Sequence, residues 1–209
     1  MQRDFLTMFD GVMRGLIDPP LARLARPLAR AGVSADAITL AGLLFGLACA
    51  GAVARGWFFA ALAGLALSRL ADGLDGAVAR VTQRTDFGGF LDIVCDFIFY
   101  GAVPLAFALH DPARNGVAAA ALLFSFYVNG ASFLSFAAVA ARRGMETSSR
   151  GDKAIYFTAG LAEGTETIAV FAAMMIFPDA FAALAYGFGA LCLVTAASRV
   201  WLARRSFGR

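Results

Sequence analysis

Charge, cysteine and histidine are scarce in this 209-residue chain. Charged residues make up 16% of it, against about a quarter in an ordinary soluble domain. That shortage excludes a conventional water-soluble surface. Three cysteines, Cys49, Cys95 and Cys192, form no pair and no metal-type spacing, which excludes a disulfide framework and a thiolate metal site. They read as small apolar packing residues. The single histidine, His110, falls in an expected outer loop over 110–116, away from any carboxylate, and is given no chemistry. The first 30 residues lack the hydrophobic core of a signal peptide, and the first long apolar run, from about Ala37, would stay as a span. There is no internal repeat and no low-complexity tract. The net charge of +3 suits an anionic lipid surface and needs no nucleic acid.

What the chain has in excess is apolar residues: 60% hydrophobic, with a mean hydropathy of +0.71. Six stretches read as spans by length and scarcity of charge: 37–54, 57–80, 87–109, 117–141, 154–178 and 181–199. The expected fold is therefore an all-α integral membrane protein of six transmembrane helices, forming one domain over 37–203. An N-terminal segment, 1–36, precedes it and a short tail, 204–209, follows. In that segment Leu21, Leu24, Leu28 and Ala31 recur at helical spacing with Arg23, Arg26 and Arg30 on other faces, after Pro19 and Pro20. This predicts an amphipathic helix lying in the cytoplasmic interface; a surface helix packed on the bundle reads equally well. With these spans, all but three of the 18 Lys+Arg collect on one side. Arg55 and Arg114 lie on the other, and Arg69 lies inside a span. The positive-inside rule then places both termini, and the turn over 81–88, in the cytoplasm.

Against this apolar background stand four aspartates, Asp72, Asp75, Asp92 and Asp96. Each costs a few kcal/mol in hydrocarbon even on lenient scales, and close together they repel one another. On a helix, Asp72, Asp75, Gly76, Ala79 and Arg80 form one stripe, and Gly89, Asp92 and Asp96 form another on the next helix. A short turn makes the two helices antiparallel neighbours, so four carboxylates can meet near the cytoplasmic mouth. Carboxylates are hard oxygen ligands suited to Mg²⁺ or Mn²⁺, ions that share their shell with substrate phosphates. Two such ions could clamp a diphosphate and neutralise charge on its leaving oxygen. Gly76 and Ala79 leave room for a head group, and Arg80 offers a forked donor to a phosphate. Asp96, deepest on its helix, is placed to take a proton from an attacking hydroxyl. The four groups titrate as a set, so activity is expected to depend on pH and metal together.

The pattern Asp-x2-Asp-Gly-x2-Ala-Arg-x7-Gly-x3-Asp-x3-Asp, running here from Asp72 through Gly88 to Asp96, resembles the signature of the CDP-alcohol phosphatidyltransferase family. Segments 89–100 and 160–167 are most similar to a bacterial inner-membrane branch of it. The resemblance implies transfer of a phosphatidyl group from a CDP-linked lipid, usually CDP-diacylglycerol, to an alcohol, with release of CMP, and a homodimer in the membrane. It implies metal ligation by Asp72, Asp75 and Asp92. It makes Asp96 the general base, sharing the second metal, and puts Gly76, Ala79 and Arg80 in the CDP pocket. Thr39 matches a nucleotide-proximal threonine of the family, whereas Asp36 stands where asparagine is usual.

Other features have plainer readings. Salt bridges with Arg69, Arg80 and Arg84 are the structural alternative for the aspartates, and a snorkelling interface arginine is the alternative for Arg80. Asp86 reads as a solvated turn residue and Asn129 as a hydrogen-bonding group within the bundle. Phe87, Phe90, Phe97, Phe99 and Tyr100 read as packing or lipid-facing. Glu163 and Glu166 sit inside the fifth span, either pairing with Arg69 or Arg199 or shaping the acceptor pocket; in the second case they would disfavour a phosphorylated alcohol. Two rival functions are an intramembrane prenyltransferase, which would release pyrophosphate rather than CMP, and an ion or metal transporter, which would show flux across liposomes.

Overall fold

The computed structural model describes residues 21, 23–144 and 164–208. Among them are seven α-helices and no strand. Helix α1 covers 23–30; α2 is Ala35–Ala54, α3 Phe58–Val81, α4 Asp86–His110, α5 Pro112–Arg142, α6 Gly164–Ile176 and α7 Phe181–Phe207. This is an all-α integral membrane fold. Four segments are long and apolar enough to cross a bilayer: Ala35–Ala54, Asp86–His110, Pro112–Arg142 and Pro178–Phe207. Helix α3 has the length, but Arg69, Asp72, Asp75 and Arg80 interrupt its apolar run. Glu163 lies outside the described residues.

Local chemistry sets the helix ends. Ser34 Oγ accepts the Ala37 N–H at 3.2 Å, Thr85 Oγ1 accepts Gly88 N–H at 2.9 Å, and Asp111 Oδ1 accepts Arg114 N–H at 3.0 Å. Each oxygen satisfies a first-turn amide that has no partner inside its helix. Gly56, at φ +74°, closes α2, and its N–H donates to the Val53 carbonyl at 2.9 Å. A side chain there would be strained, and its first carbon would lie 2.9 Å from the His110 ring. His110 and Asp86, expected in loops, are instead the last residue of α4 and the first of the same helix. The helix starts and stops at caps, and hydropathy does not register those.

The chain divides into two compact units. One takes in the described residues up to Cys49 together with Leu62–Phe99. Here α2 and α3 approach closely through small residues. A methyl group built at Gly42 would touch Ala71 Cβ at 3.1 Å, and one at Gly64 would meet Cys49 Cβ at 3.0 Å and its backbone at 3.1 and 3.2 Å. Partners run down α3 as numbers rise along α2, so the two helices are antiparallel. Leu21, Ala25, Ile38, Ala77 and Val78 form a buried cluster, joined by the partly buried Leu28. Helix α1 therefore packs through Leu21, Ala25 and Leu28, while Leu24 of the expected stripe is 56% exposed. Gly64→Val is expected to force α2 and α3 apart, at a cost of about 1–3 kcal/mol. A lowered melting temperature in detergent would register it; an unchanged one would contradict the close approach.

The other unit takes in Ala50–Ala61 and the described residues from Tyr100 onward. Helices α5 and α7 pack along their lengths. Phe126 meets Phe188, Arg199 donates to Asn129 Oδ1 at 2.9 Å and to Ser132 Oγ at 2.7 Å, and Phe136 meets Phe207. Numbers rise together on both helices, so they run parallel. Asn129 thus holds the bonding role expected of it. Phe107 stacks on Phe181 with ring centres 4.3 Å apart, and Asn115 Nδ2 donates to the Phe107 carbonyl at 3.1 Å.

Candidate active site

The residues expected at the metals and the nucleotide, Thr39, Asp72, Asp75, Gly76, Ala79, Arg80, Asp92 and Asp96, fall in the first unit. The four-residue turn between α3 and α4 folds the second helix back along the first, and the two acidic stripes face each other. Asp72, Asp92 and Asp96 each present a carboxylate oxygen, and the three oxygens lie within 4.8 Å of one another. Asp72 and Asp96 side chains are 41% and 30% exposed. Asp75 does not join this triple. It is 8% exposed, and its Oδ2 accepts the Thr39 hydroxyl at 2.5 Å. Thr39, on α2 and also 8% exposed, is thereby fixed against the same acidic face. Sequence distance hides this contact, since 36 residues separate the pair.

Two cavities meet at this point. A narrow inner cleft of about 10 Å³ runs between Thr39, Gly42, Ser68, Arg69, the four aspartates and Phe99. A larger open cavity of about 280 Å³ is lined by Thr39, Asp75, Gly76, Ala79, Arg80 and Asp92, with Asp36, Arg84 and Thr85 on its rim. Thr39, Asp75 and Asp92 line both. Every residue expected at the nucleotide therefore lines this one cavity. A methyl group added at Gly76 would meet only Arg80 Nη1, at an ordinary 3.7 Å. Packing within the protein does not require glycine there, and the space it leaves belongs to the cavity. Asp36, in the first turn of α2, lies in the same space.

Arg69, like Thr39, lies at the site but outside the motif, and it is the salt-bridge partner of the aspartates that the structural alternative names. Its Nη1 lies 3.4 Å from Asp96 Oδ1 and 3.5 Å from Asp72 Oδ1. The signal for it was present in the sequence: an intramembrane arginine one helical turn ahead of Asp72 falls on the acidic face. Glu166, in the first turn of α6, is exposed.

The donor set is all carboxylate oxygen, converging at a spacing that one hard divalent ion can bridge. The adjoining cavity offers Arg80, a hydroxyl and glycine-lined space. Such a pairing can hold a metal-bound diphosphate beside its head group.

Comparisons with known proteins show the family. The family model described as CDP-alcohol phosphatidyltransferase matches residues 33–202. The chain is 45% identical over 194 residues to the inner membrane protein YnjF of Escherichia coli (strain K12), covering 93% of this chain and 94% of that protein. It is 40% identical over 104 residues to the archaetidylinositol phosphate synthase of Methanothermobacter thermautotrophicus, covering 49% of this chain and 50% of that one. Among solved structures it resembles the Mycobacterium tuberculosis phosphatidylinositol phosphate synthase with CDP-DAG bound, at TM-score 0.70 and 27% identity, over 88% of this chain and 93% of that chain. The same enzyme in complex with manganese and citrate matches at TM-score 0.69 and 25% identity, over 87% and 88%. A family match that runs through both acidic helices, on a fold shared with a CDP-lipid-bound enzyme, admits one conclusion: this chain belongs to the CDP-alcohol phosphatidyltransferase family and transfers a phosphatidyl group from a CDP-linked lipid to an alcohol.

Proposed function

We propose that the protein is a six-span, homodimeric enzyme of the bacterial inner membrane, with both termini cytoplasmic, that moves the phosphatidyl group of CDP-diacylglycerol to a small alcohol and releases CMP. The observation that carries this reading is the convergence of Asp72, Asp92 and Asp96 beside the cavity bearing Thr39, Gly76, Ala79 and Arg80. The mouth of that cavity lies near the α3–α4 turn, on the arginine-rich side. Nucleotide and alcohol come and go there, and the acyl chains enter from the bilayer.

Asp72, Asp75, Asp92 and Asp96 are the proposed ligands of two Mg²⁺ or Mn²⁺ ions. When bound, the ions supply charge neutralisation at the diphosphate and the leaving oxygen. Manganese in the mycobacterial relative supports the choice of ion. The protein's own groups do the rest. Gly76 and Ala79 admit the CDP moiety, and Arg80 hydrogen-bonds a phosphate oxygen. Asp96 accepts the proton of the acceptor hydroxyl as its oxygen attacks the lipid-proximal phosphorus. The bond from that phosphorus to the CMP oxygen breaks, and CMP leaves with the electron pair. Thr39 holds Asp75 in place through the 2.5 Å bond.

The test is purified protein with labelled CDP-diacylglycerol, Mg²⁺ or Mn²⁺, and a panel of acceptors. Inositol phosphate belongs in the panel because the archaeal relatives are named for it. Unphosphorylated neutral and cationic alcohols belong there because Glu163 and Glu166, in the reading in which they shape the acceptor pocket and do not pair with an arginine, disfavour a phosphorylated one. CMP release with a new phospholipid of matching mass supports the proposal; pyrophosphate release, or no lipid product with any acceptor, sinks it. In the same assay Thr39→Val is expected to lower activity about tenfold, because losing a partner for a buried carboxylate costs about 1–3 kcal/mol. Thr39→Ser, which keeps the hydroxyl, should restore most of it. Equal losses in both variants would mean that the hydroxyl is not what matters.

A further inference from the structure

Arg69 stands beside the aspartate cluster, yet neither the motif nor the transfer chemistry above uses it. Its contacts with Asp72 and Asp96 are long, 3.5 and 3.4 Å, and are made by one nitrogen, Nη1. A guanidinium bound permanently to a carboxylate more often forms two short parallel bonds to it. Two further contacts do not involve the carboxylates: Nη2 donates to Ser68 Oγ at 3.2 Å, and the guanidinium lies 5.3 Å from the centre of the Phe99 ring. Nε is buried with no hydrogen-bond partner among the described residues. The side chain is thus anchored by a hydroxyl and an aromatic face, and reaches the acids only loosely.

Resting on the metal reading proposed above, we infer that Arg69 is a resident counter-cation of the site. It offsets the repulsion among Asp72, Asp92 and Asp96 when no metal is bound. It yields Asp72 and Asp96 to an incoming divalent ion while Ser68 and Phe99 retain its guanidinium. Three ligating acids packed within 4.8 Å repel one another in a partly desolvated cleft. A tethered single charge relieves this without the tight geometry that would exclude the ion. The same charge weakens the affinity of the site for the free ion, because the ion must bind next to a fixed positive group. Arg69 is in this sense a positioning residue: it acts through the carboxylates and not on the substrate.

The experiment measures Mn²⁺ binding by calorimetry, and thermal unfolding in EDTA and in saturating Mn²⁺, for the full chain in detergent. Wild type, Arg69→Gln, Arg69→Met and Arg69→Lys are compared, all purified with Mn²⁺ present throughout. Both neutral variants are expected to bind Mn²⁺ roughly tenfold more tightly, the size expected for removing a unit charge about 5 Å from a divalent ion at water-like dielectric. They should melt below wild type in EDTA and draw level with it in Mn²⁺. Arg69→Lys keeps the charge and should stay near wild type in affinity. Unchanged or weaker Mn²⁺ binding by the neutral variants overturns the inference, as does equal tightening in Arg69→Lys. A neutral variant that unfolds only when Mn²⁺ is withdrawn supports it; one that unfolds with Mn²⁺ present counts against it. If wild type binds no Mn²⁺, the metal reading itself fails. If wild type binds and the neutral variants are no tighter, only the role of Arg69 fails.

Discussion

Asp96→Asn is expected to lower turnover by about 10²–10⁴-fold, the range over which general-base catalysis contributes, while leaving CDP-lipid binding largely intact. The substitution is nearly isosteric. The amide oxygen can still accept from Arg69, whose Nη1 lies 3.4 Å from Asp96 Oδ1, so the inner wall of the cleft should hold its shape. What the amide cannot do is take a proton from the acceptor hydroxyl. Asp96 is also a proposed ligand, so binding and turnover are to be compared at saturating metal, where a weakened second site is refilled. A kcat loss with little change in KM for the CDP-lipid is the expected signature. Full activity in this variant would remove Asp96 from the role of base.

The second large effect is loss of metal. Chelation with EDTA should bring activity to background, and added Mg²⁺ or Mn²⁺ should restore it. Asp72→Asn should reproduce part of that loss in the protein itself. Asp72 is one of the three acids within 4.8 Å of each other, and an amide there removes a charge that no neighbour replaces. A loss of about 10²–10³-fold is expected, the order seen when one electrostatic contact to the developing charge is deleted. The two variants should differ in one measurable way. Excess metal should recover part of the activity of Asp72→Asn, because its defect is in affinity. It should recover little in Asp96→Asn, where the proton acceptor is gone. Activity that survives exhaustive chelation would contradict the metal-dependent mechanism.

Much of the fold was legible because membrane burial constrains composition so strongly. A segment that crosses hydrocarbon must satisfy its own backbone and present apolar side chains. Helices α2, α4, α5 and α7 therefore stand out as apolar runs. Where the apolar signal is broken by function, it thins. Helix α3 carries the acids and Arg69, and these charges interrupt an otherwise apolar run. End points were less legible. His110 closes a helix and Asp86 opens one, since those boundaries depend on caps such as Thr85 and Asp111. Around α1 the spacing of Leu21, Leu24, Leu28 and Ala31 predicted the apolar face, but Ala25 is buried while Leu24 and Ala31 are exposed. A small residue can be what lets two helices touch, and hydrophobicity underrates it.

The sequence by itself determined the chemistry: the identity of the acids, their spacing, and so the two stripes that a 3.6-residue period must create. It also determined the family, because the fixed residues of the motif lie close together in the chain. Only the tertiary structure decided which acids share one point and which do not. Asp75 is drawn to Thr39 across 36 residues, leaving Asp72, Asp92 and Asp96 as the convergent three, with Arg69 beside them. The physical reason is that helical periodicity fixes the face on which a side chain lies. The partner it meets there is fixed by how closely neighbouring helices approach, and here small residues such as Gly42 and Gly64 set that distance.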